Sequence, residues 1–430
     1  VCRVFLRPLR FEFAICAALL GIWCILAVRF FLGNWAPDIS AVYIAGWLWA
    51  SGQESLIYAV PPGFFGGISD TWHPVLTGLG IADLDSFPFL YPPLWAVIAS
   101  YGARATGPQQ FADLVLIYHV VLLAFCVVLA GRIARPASVS WSAWTLIGIA
   151  LLSLSTPALH ALLQNQPTIT VTFLILASVD RLLADKAASA GVLLALAAAI
   201  KLTPIVFVLI FVLDRQPKAV VAFGVAGALL AATSVALAGW PLHRAFLDTM
   251  AAMGWQTSFG AFNPTLGNAL LPLLSALGAI PELQHPTDVV TIPAALGIGL
   301  RLATLGFVTA VVFWFWQLPR RERLVLGLTA LSIAVPLFGP IGWQHYYVLP
   351  LLLAPGAIAR MPASRRLVAS VVVIVASAFP LYVALRLGAL RFTDLALVLN
   401  VTGWVMFLAL VCAAGRQAQE CVRPAPAHDM

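Results

Sequence analysis

The chain has 430 residues, of which 62% are hydrophobic and 10% charged, and its formal net charge is +7. Soluble domains carry roughly 25% charged residues, so a water-soluble globular protein is excluded. Apolar runs that are long and continuous rather than alternating exclude a closed barrel. The basic excess lies in short runs between apolar segments, the pattern of loops retained on the cytoplasmic side of a membrane, and does not point to nucleic acid. The expected fold is an all-α polytopic membrane protein, one domain over 1–430, with about 11–13 membrane helices of roughly 20 residues each.

The N-terminus carries Arg3, Arg7 and Arg10 ahead of an apolar run from Phe13 to Leu32, which predicts a cytoplasmic start. A signal peptide fits poorly, because Asn34, Trp35 and Pro37 follow instead of small residues. Residues 33–90 hold Asp38, Glu54, Asp70, Asp83 and Asp85 but no Lys or Arg, so they read as a first external loop. Within it, Ser40 to Ser51 predicts a short helix along the membrane surface, with Trp35, Tyr43, Trp47 and Trp49 at the interface, and Pro61 to Asp70 predicts loop. Tyr91 to Ala103 opens on two prolines and rises only about 20 Å, so it reads as a short helix dipping into the membrane and returning.

A full span follows from Phe111 to Gly131, closed by Arg132 and Arg135, then a pair at Trp141 to Leu159 and Pro167 to Leu183. Gly191 to Leu213 is interrupted at Lys201-Leu202-Thr203-Pro204. Basic residues on both flanks (Lys186 before, Arg215 and Lys218 after) suggest a hairpin with Lys201 near its tip; a single kinked span is the alternative. Ala219 to Gly239 leads to a second external loop over 240–291. Further spans are expected at Ile292 to Gln317, Leu324 to Phe338, Trp343 to Ala359, Leu367 to Leu387 and Thr393 to Gly415, before a polar tail over 416–430. The six cysteines are Cys2, Cys16, Cys24, Cys126, Cys412 and Cys421. Four lie in apolar spans and two near the termini, which predicts neither a disulfide nor a CxxC metal site.

Five places in this pattern can carry chemistry. Asp38, just beyond the first span, suits a general base for a hydroxyl or a ligand for a divalent ion, since partial desolvation raises a carboxylate pKa toward the working range. A helix N-cap accounts for the same letters, and spacing alone favours it. Gln164-Asn165-Gln166-Pro167 offers amides to sugar hydroxyls, or a polar turn before a helix. Lys201 is an ionisable group inside an apolar run, suited to a phosphate or to snorkelling. His345, within Gln344-His345-Tyr346-Tyr347, suits a phosphate oxygen or leaving group, or an interfacial hydrogen bond. Asn263, in Asn263-Pro264-Thr265-Leu266-Gly267-Asn268, suits sugar binding or a turn. No HExxH, Walker loop or GxGxxG with an acidic partner is present.

In this order the motifs resemble glycosyltransferase family 87, polytopic enzymes of the GT-C type that use polyprenyl-phosphate sugars. The likeness rests on Asp38 followed by the aromatic run to Ala59, on Tyr91-Pro92-Pro93-Leu94, and on Gln164 to Ala177 against the family's Gly-Gln-Asn segment. It rests further on Ala190 to Leu209 against its Lys-x-x-Pro segment, and on Asn263 to Leu270 and Gln344 to Leu352 in register. The resemblance implies an inverting transfer of a hexose or pentose, mannose-like favoured, from a polyprenyl-phosphate sugar to a lipid or glycan acceptor. It makes Asp38 the catalytic base. Lys201, His345, Tyr91, Gln164, Asn165 and Asn263 become substrate contacts. No cofactor beyond the polyprenyl-phosphate sugar is called for and a divalent metal is left open, membrane lipids and the two substrates are the partners with no nucleic acid, and the site faces outward from a bacterial inner membrane. The rival reading is a multi-pass transporter or lipid-linked glycan flippase, which the interrupted run at Lys201 also fits.

Overall fold

A computed structural model describes residues 2–59, 65–67, 70–283, 289–378 and 393–422. The described residues are mostly helical, and five helices are long and apolar enough to cross a membrane: Phe11–Phe31, Pro108–Ala134, Pro217–Ala238, Ala294–Phe315 and Leu395–Gln419. The fold is therefore the expected all-α polytopic type. Most of the predicted loop Pro61 to Asp70, and the C-terminal part of the predicted span Leu367 to Leu387, lie outside the described residues.

Hydrogen bonds at the helix ends give the chain two poles. Helix α1 (Cys2–Phe31) begins beside α6 (Trp141–Leu154), where Ser142 N–H donates to Glu12 Oε1 at 3.2 Å. It ends beside α5 (Pro108–Ala134), where Gly33 N–H donates to Asp113 Oδ1 at 3.0 Å. The intervening helices α2 (Pro37–Ala50), α3 (His73–Gly78) and α4 (Leu94–Ala105) thus return the chain to the pole they left from. That agrees with a short helix at Tyr91 to Ala103 that does not cross. It also puts Arg132 and Arg135, at the far end of α5, at the same pole as Glu12.

The remaining helices shuttle between the same poles. The predicted span Trp141 to Leu159 is divided at Ser155, whose side chain accepts from Ala158 N–H and starts α7 (Thr156–Leu163). From there α8 (Thr168–Leu183) runs back to Asp180, which pairs with Arg132 at 2.5 Å. Helix α9 (Ala187–Ile200) climbs again and breaks at Lys201. A 3-10 turn (Thr203–Phe207) and α10 (Val208–Leu213) then bring the chain down to Asp214. The interrupted run is a hairpin, because Pro204 cannot continue the hydrogen-bond ladder of α9. Helices α11 (Pro217–Ala238) and α12 (Trp240–Met253) lead into a segment with α13 (Leu266–Ala276) and a ribbon of β1 (Gln256–Ser258) antiparallel to β2 (Val289–Thr291). Helices α14 (Ala294–Phe315), α15 (Arg320–Phe338), α16 (Val348–Ala359), α17 (Ala363–Ala376) and α18 (Thr393–Val422) complete the bundle. Residues 416–422 continue α18 rather than forming the expected tail; 423–430 lie outside the described residues.

The arginine pole is tied together by ion pairs. Asp214 is fully buried and receives Arg320 Nε at 2.9 Å, Arg320 Nη2 at 2.8 Å and Arg323 Nη2 at 3.4 Å. Arg320 also reaches Asp185 at 2.7 Å and Leu182 O at 2.8 Å. Arg321 and Arg360 donate to the last carbonyls of α5, the satisfaction that a helix C-terminus requires.

At the opposite pole α2, α3 and α4 form a second apolar cluster outside the main bundle core. Helix α2 is buried over most of its length, not laid on a surface as expected, because it packs on α4 at Gly46. A Cβ there would stand 2.6 Å from the Ala99 carbonyl carbon, so only glycine allows the approach. Trp95 fastens this cap to the bundle: its indole N–H donates to Ala199 O at 2.7 Å, two residues before Lys201.

Candidate active site

Five stretches far apart in sequence meet under the cap. Asp38 comes from the first turn of α2, Tyr91 from the loop before α4, and Gln166 and Thr168 from the start of α8. Lys201 comes from the break after α9, and His345 and Tyr346 from a 3-10 turn (Gln344–Tyr347) before α16. The break at Lys201 has a purpose in this geometry. A helix carried through it would continue along its axis, whereas the break leaves the ammonium group at the edge of the cluster.

Lys201 Nζ donates to Thr168 Oγ1 at 2.7 Å and to Gln166 Oε1 at 3.0 Å. It also lies 4.8 Å from the centroid of the Tyr346 ring and 5.5 Å from that of Tyr91, where the ring faces attract a cation. Gln166 is 2% exposed, and its Oε1 accepts further from the hydroxyls of Thr168 (3.2 Å) and Tyr91 (3.5 Å). With the amide oxygen so surrounded by donors, the amide NH2 is the end left for a carboxylate. Gln166 lies close enough to Asp38 to favour its ionised form.

Asp38 does not cap α2. Ala36 holds the cap position with no side-chain bond, Pro37 opens the helix, and Asp38 lies inside the first turn. Its side chain is half-buried and points into the cluster. Burial raises its pKa from 3.8 to about 6, against the opposing effects of the Lys201 charge and the Gln166 hydrogen bond. The carboxylate is thus ionised at neutral pH while remaining a competent proton acceptor.

His345 is 1% exposed and both its ring nitrogens lack a hydrogen-bond partner. It stacks on His160 at 5.6 Å and meets the Tyr346 ring edge-on at 4.7 Å. A buried imidazole left unmatched is costly in a folded protein, and here it stands beside the cluster rather than in a hydrogen-bonded interfacial position.

The other anticipated residues are placed differently. Asn263 is buried and spends its amide on the loop. Its Nδ2 donates to Thr257 Oγ1 and Ser258 O, both at 2.9 Å, and its Oδ1 accepts from Gly342 N–H at 2.7 Å. This clamps the turn that precedes His345. Asn165 donates to Ala112 O at 2.7 Å, and its Oδ1 lies 2.7 Å from His119 Nδ1, so its amide faces α5. Gln164 caps the end of α7 and is half-buried, with an enclosed Oε1 that no donor meets.

Gln166 and Tyr346 stand within motifs legible in the sequence but are not among the substrate contacts expected from it, and Thr168 is not singled out there at all. A signal was present in the backbone demand of the motif. Asn165 has φ 48°, the left-handed conformation that favours glycine. It therefore fits the glycine of a Gly-Gln-Asn pattern, and the glutamine of that pattern falls on Gln166 instead of Gln164.

The sequence model of glycosyltransferase family 87 matches residues 89–340. Tyr91, Gln166, Lys201 and Asn263 fall inside that match; Asp38 and His345 fall outside it. Over 288 residues the chain is 29% identical to a polyprenol-phosphate-mannose-dependent alpha-(1-2)-phosphatidylinositol mannoside mannosyltransferase of Mycobacterium tuberculosis (strain ATCC 25618 / H37Rv). That alignment covers 63% of this chain and 62% of the relative's length.

Proposed function

The chain belongs to glycosyltransferase family 87, and from that premise we propose that it transfers a sugar from a polyprenyl-phosphate donor to a hydroxyl of a lipid or glycan acceptor. The observation that carries this reading is the meeting of an ionisable base, Asp38, and a cation, Lys201, at one buried amide. An inverting transfer needs both, and needs them a short distance apart.

Asp38 takes the proton of the acceptor hydroxyl as its oxygen attacks the anomeric carbon. The bond from that carbon to the phosphate oxygen breaks, and polyprenyl phosphate departs with the electron pair. Lys201 holds the phosphate through the N–H that Gln166 and Thr168 leave free, and His345, unmatched and adjacent, offers a second donor. Phosphate is a good leaving group, so the protein's work is positioning and stabilisation of the charge that develops on it. Mannose is the favoured sugar because the mycobacterial relative is named for a polyprenol-phosphate-mannose donor. The arginine pole fits the cytoplasmic side by its positive charge, and this supports reading the Asp38 pole as the one that faces outward from a bacterial inner membrane.

The test is transfer by the purified protein in proteoliposomes, supplied with a panel of radiolabelled polyprenyl-phosphate sugars and assayed beside Asp38→Asn. Transfer or slow hydrolysis of one donor, reduced about 100-fold or more in the folded variant, supports the reading. Undiminished activity in Asp38→Asn removes the base. No turnover of any donor, with or without lipid acceptors, removes the reaction.

A further inference from the structure

A carboxylate and an ammonium group that share a buried site ordinarily close to direct contact, since each is the other's best partner once water is excluded. Here they do not. Lys201 makes its hydrogen bonds to neutral oxygens, those of Gln166 and Thr168. Gln166 meets both charged groups, Lys201 through its Oε1 at 3.0 Å and Asp38 through a side-chain interaction, on a backbone held at both ends. Its N–H donates to Ala161 O at 2.9 Å, its carbonyl accepts from Ile169 N–H at 3.0 Å, and Pro167 follows it. We propose that Gln166 is a positioning residue, a spacer whose amide ties the Asp38 carboxylate and the Lys201 ammonium group to one rigid unit while keeping them from pairing with each other.

The consequence for the reaction, which rests on the glycosyltransferase reading, is specific. A direct Asp38–Lys201 pair lowers the basicity of the carboxylate that must take the acceptor proton. It also occupies the N–H that must reach the departing phosphate. The spacer leaves Lys201 one free N–H and leaves the carboxylate lone pairs free of the ammonium group. The charged and titratable groups facing Asp38 are Lys201, Tyr91 and Tyr346, and His345 also faces Lys201. All of them stay in place in the variants below.

Two substitutions separate a spacer from an ordinary buried amide, because they move the same observables in opposite directions. Gln166→Ala opens the space and lets the charges meet. Gln166→Leu removes the hydrogen bonds but fills the space. The first observable is the pH at which Lys201 becomes reactive toward an amine-acylating reagent, read by peptide mass spectrometry on the full-length protein in proteoliposomes. It requires no turnover. Contact with a carboxylate raises the Lys201 midpoint in Gln166→Ala by about one unit or more, whereas loss of an acceptor lowers it in Gln166→Leu. The second observable is the acid limb of kcat/KM for the donor, which moves to lower pH in Gln166→Ala and to higher pH in Gln166→Leu. Donor KM rises about 10–100-fold in Gln166→Ala, the loss of a charge-assisted contact. Gln166→Met replaces the leucine variant if the latter fails to fold. Shifts of the same sign in both variants, reversed signs, or no shift overturn the spacer. If the wild type turns over no donor, the reaction assigned above falls, and the Lys201 labelling still decides this inference.

Discussion

Replacing Lys201 with methionine tests the electrostatic pairing at the centre of the site. Asp38 titrates at about 6 with the Lys201 charge in place. An opposite charge at this range lowers a carboxylate pKa by about 1–3 units, so its removal moves the acid limb of kcat/KM to about 7–9. Taking the middle of that range, the ionised fraction of Asp38 at pH 6.5 drops from about three quarters to about 3%, roughly 25-fold. At pH 9.5 Asp38 is almost fully ionised in both proteins, and Lys201, whose pKa burial lowers to about 8, has lost most of its charge, so the gap between them narrows. The sign is fixed by the role: a base works in its ionised form, so activity is lost as pH falls through the pKa, and a higher pKa loses it sooner. Initial rates of transfer at low donor concentration from pH 5 to 9.5 report kcat/KM and hence the free enzyme. A uniform loss at every pH, with the limb unmoved, refutes the pairing and leaves Lys201 as a phosphate contact alone.

Asp38→Asn also reports on stability. The folded-state pKa of Asp38 is raised from 3.8 to about 6, so the ionised carboxylate costs stability above pH 6, and that cost fades as pH falls toward 3.8. The variant is therefore more stable than wild type by up to about 3 kcal/mol at pH 8, with the gap narrowing by pH 5, as measured by thermal unfolding in detergent; a variant less stable at pH 8 contradicts it. Asn263→Ala leaves Gly342 N–H without its acceptor and costs about 2–3 kcal/mol with donor KM unchanged; a raised donor KM at unaltered stability would instead make Asn263 a substrate contact. Gly46→Ala drives a methyl group into the Ala99 backbone, displaces α2 and lowers kcat by about 100-fold for a shift of about 1 Å at Asp38; retained activity would show that α2 does not set the base.

The sequence marks the site where it breaks its own rules. Asp38 follows directly on a membrane span, Lys201 interrupts one, and both prove to share a cluster. Composition and charge are additive along the chain, which is why the spans, the hairpin and the return of the chain through Tyr91 to Ala103 could be read from them. Capping and register are not additive. Asp38 has a cap residue's letters, yet Pro37 starts the helix before it. Gln166 differs from Gln164 only in a half-turn of backbone that Asn165 supplies by its left-handed φ. The β1–β2 ribbon is too short for its alternation to stand out from a loop, and Ser155 divides a span by a single hydroxyl that could equally have faced its own helix.

The ion pairs of Asp180, Asp185 and Asp214 all lie at the pole away from Asp38, and this turns the long helices into levers. Helix α5 has 27 residues; at 1.5 Å per residue it is about 40 Å long. Pivoting on its Arg132 end by about 3° sweeps its other end by about 2 Å, with every contact at the pivot intact. A bilayer of different thickness changes helix tilt by angles of this order at small cost. Membrane thickness therefore reaches, through the tilt of α5, the end of the bundle that carries Asp38.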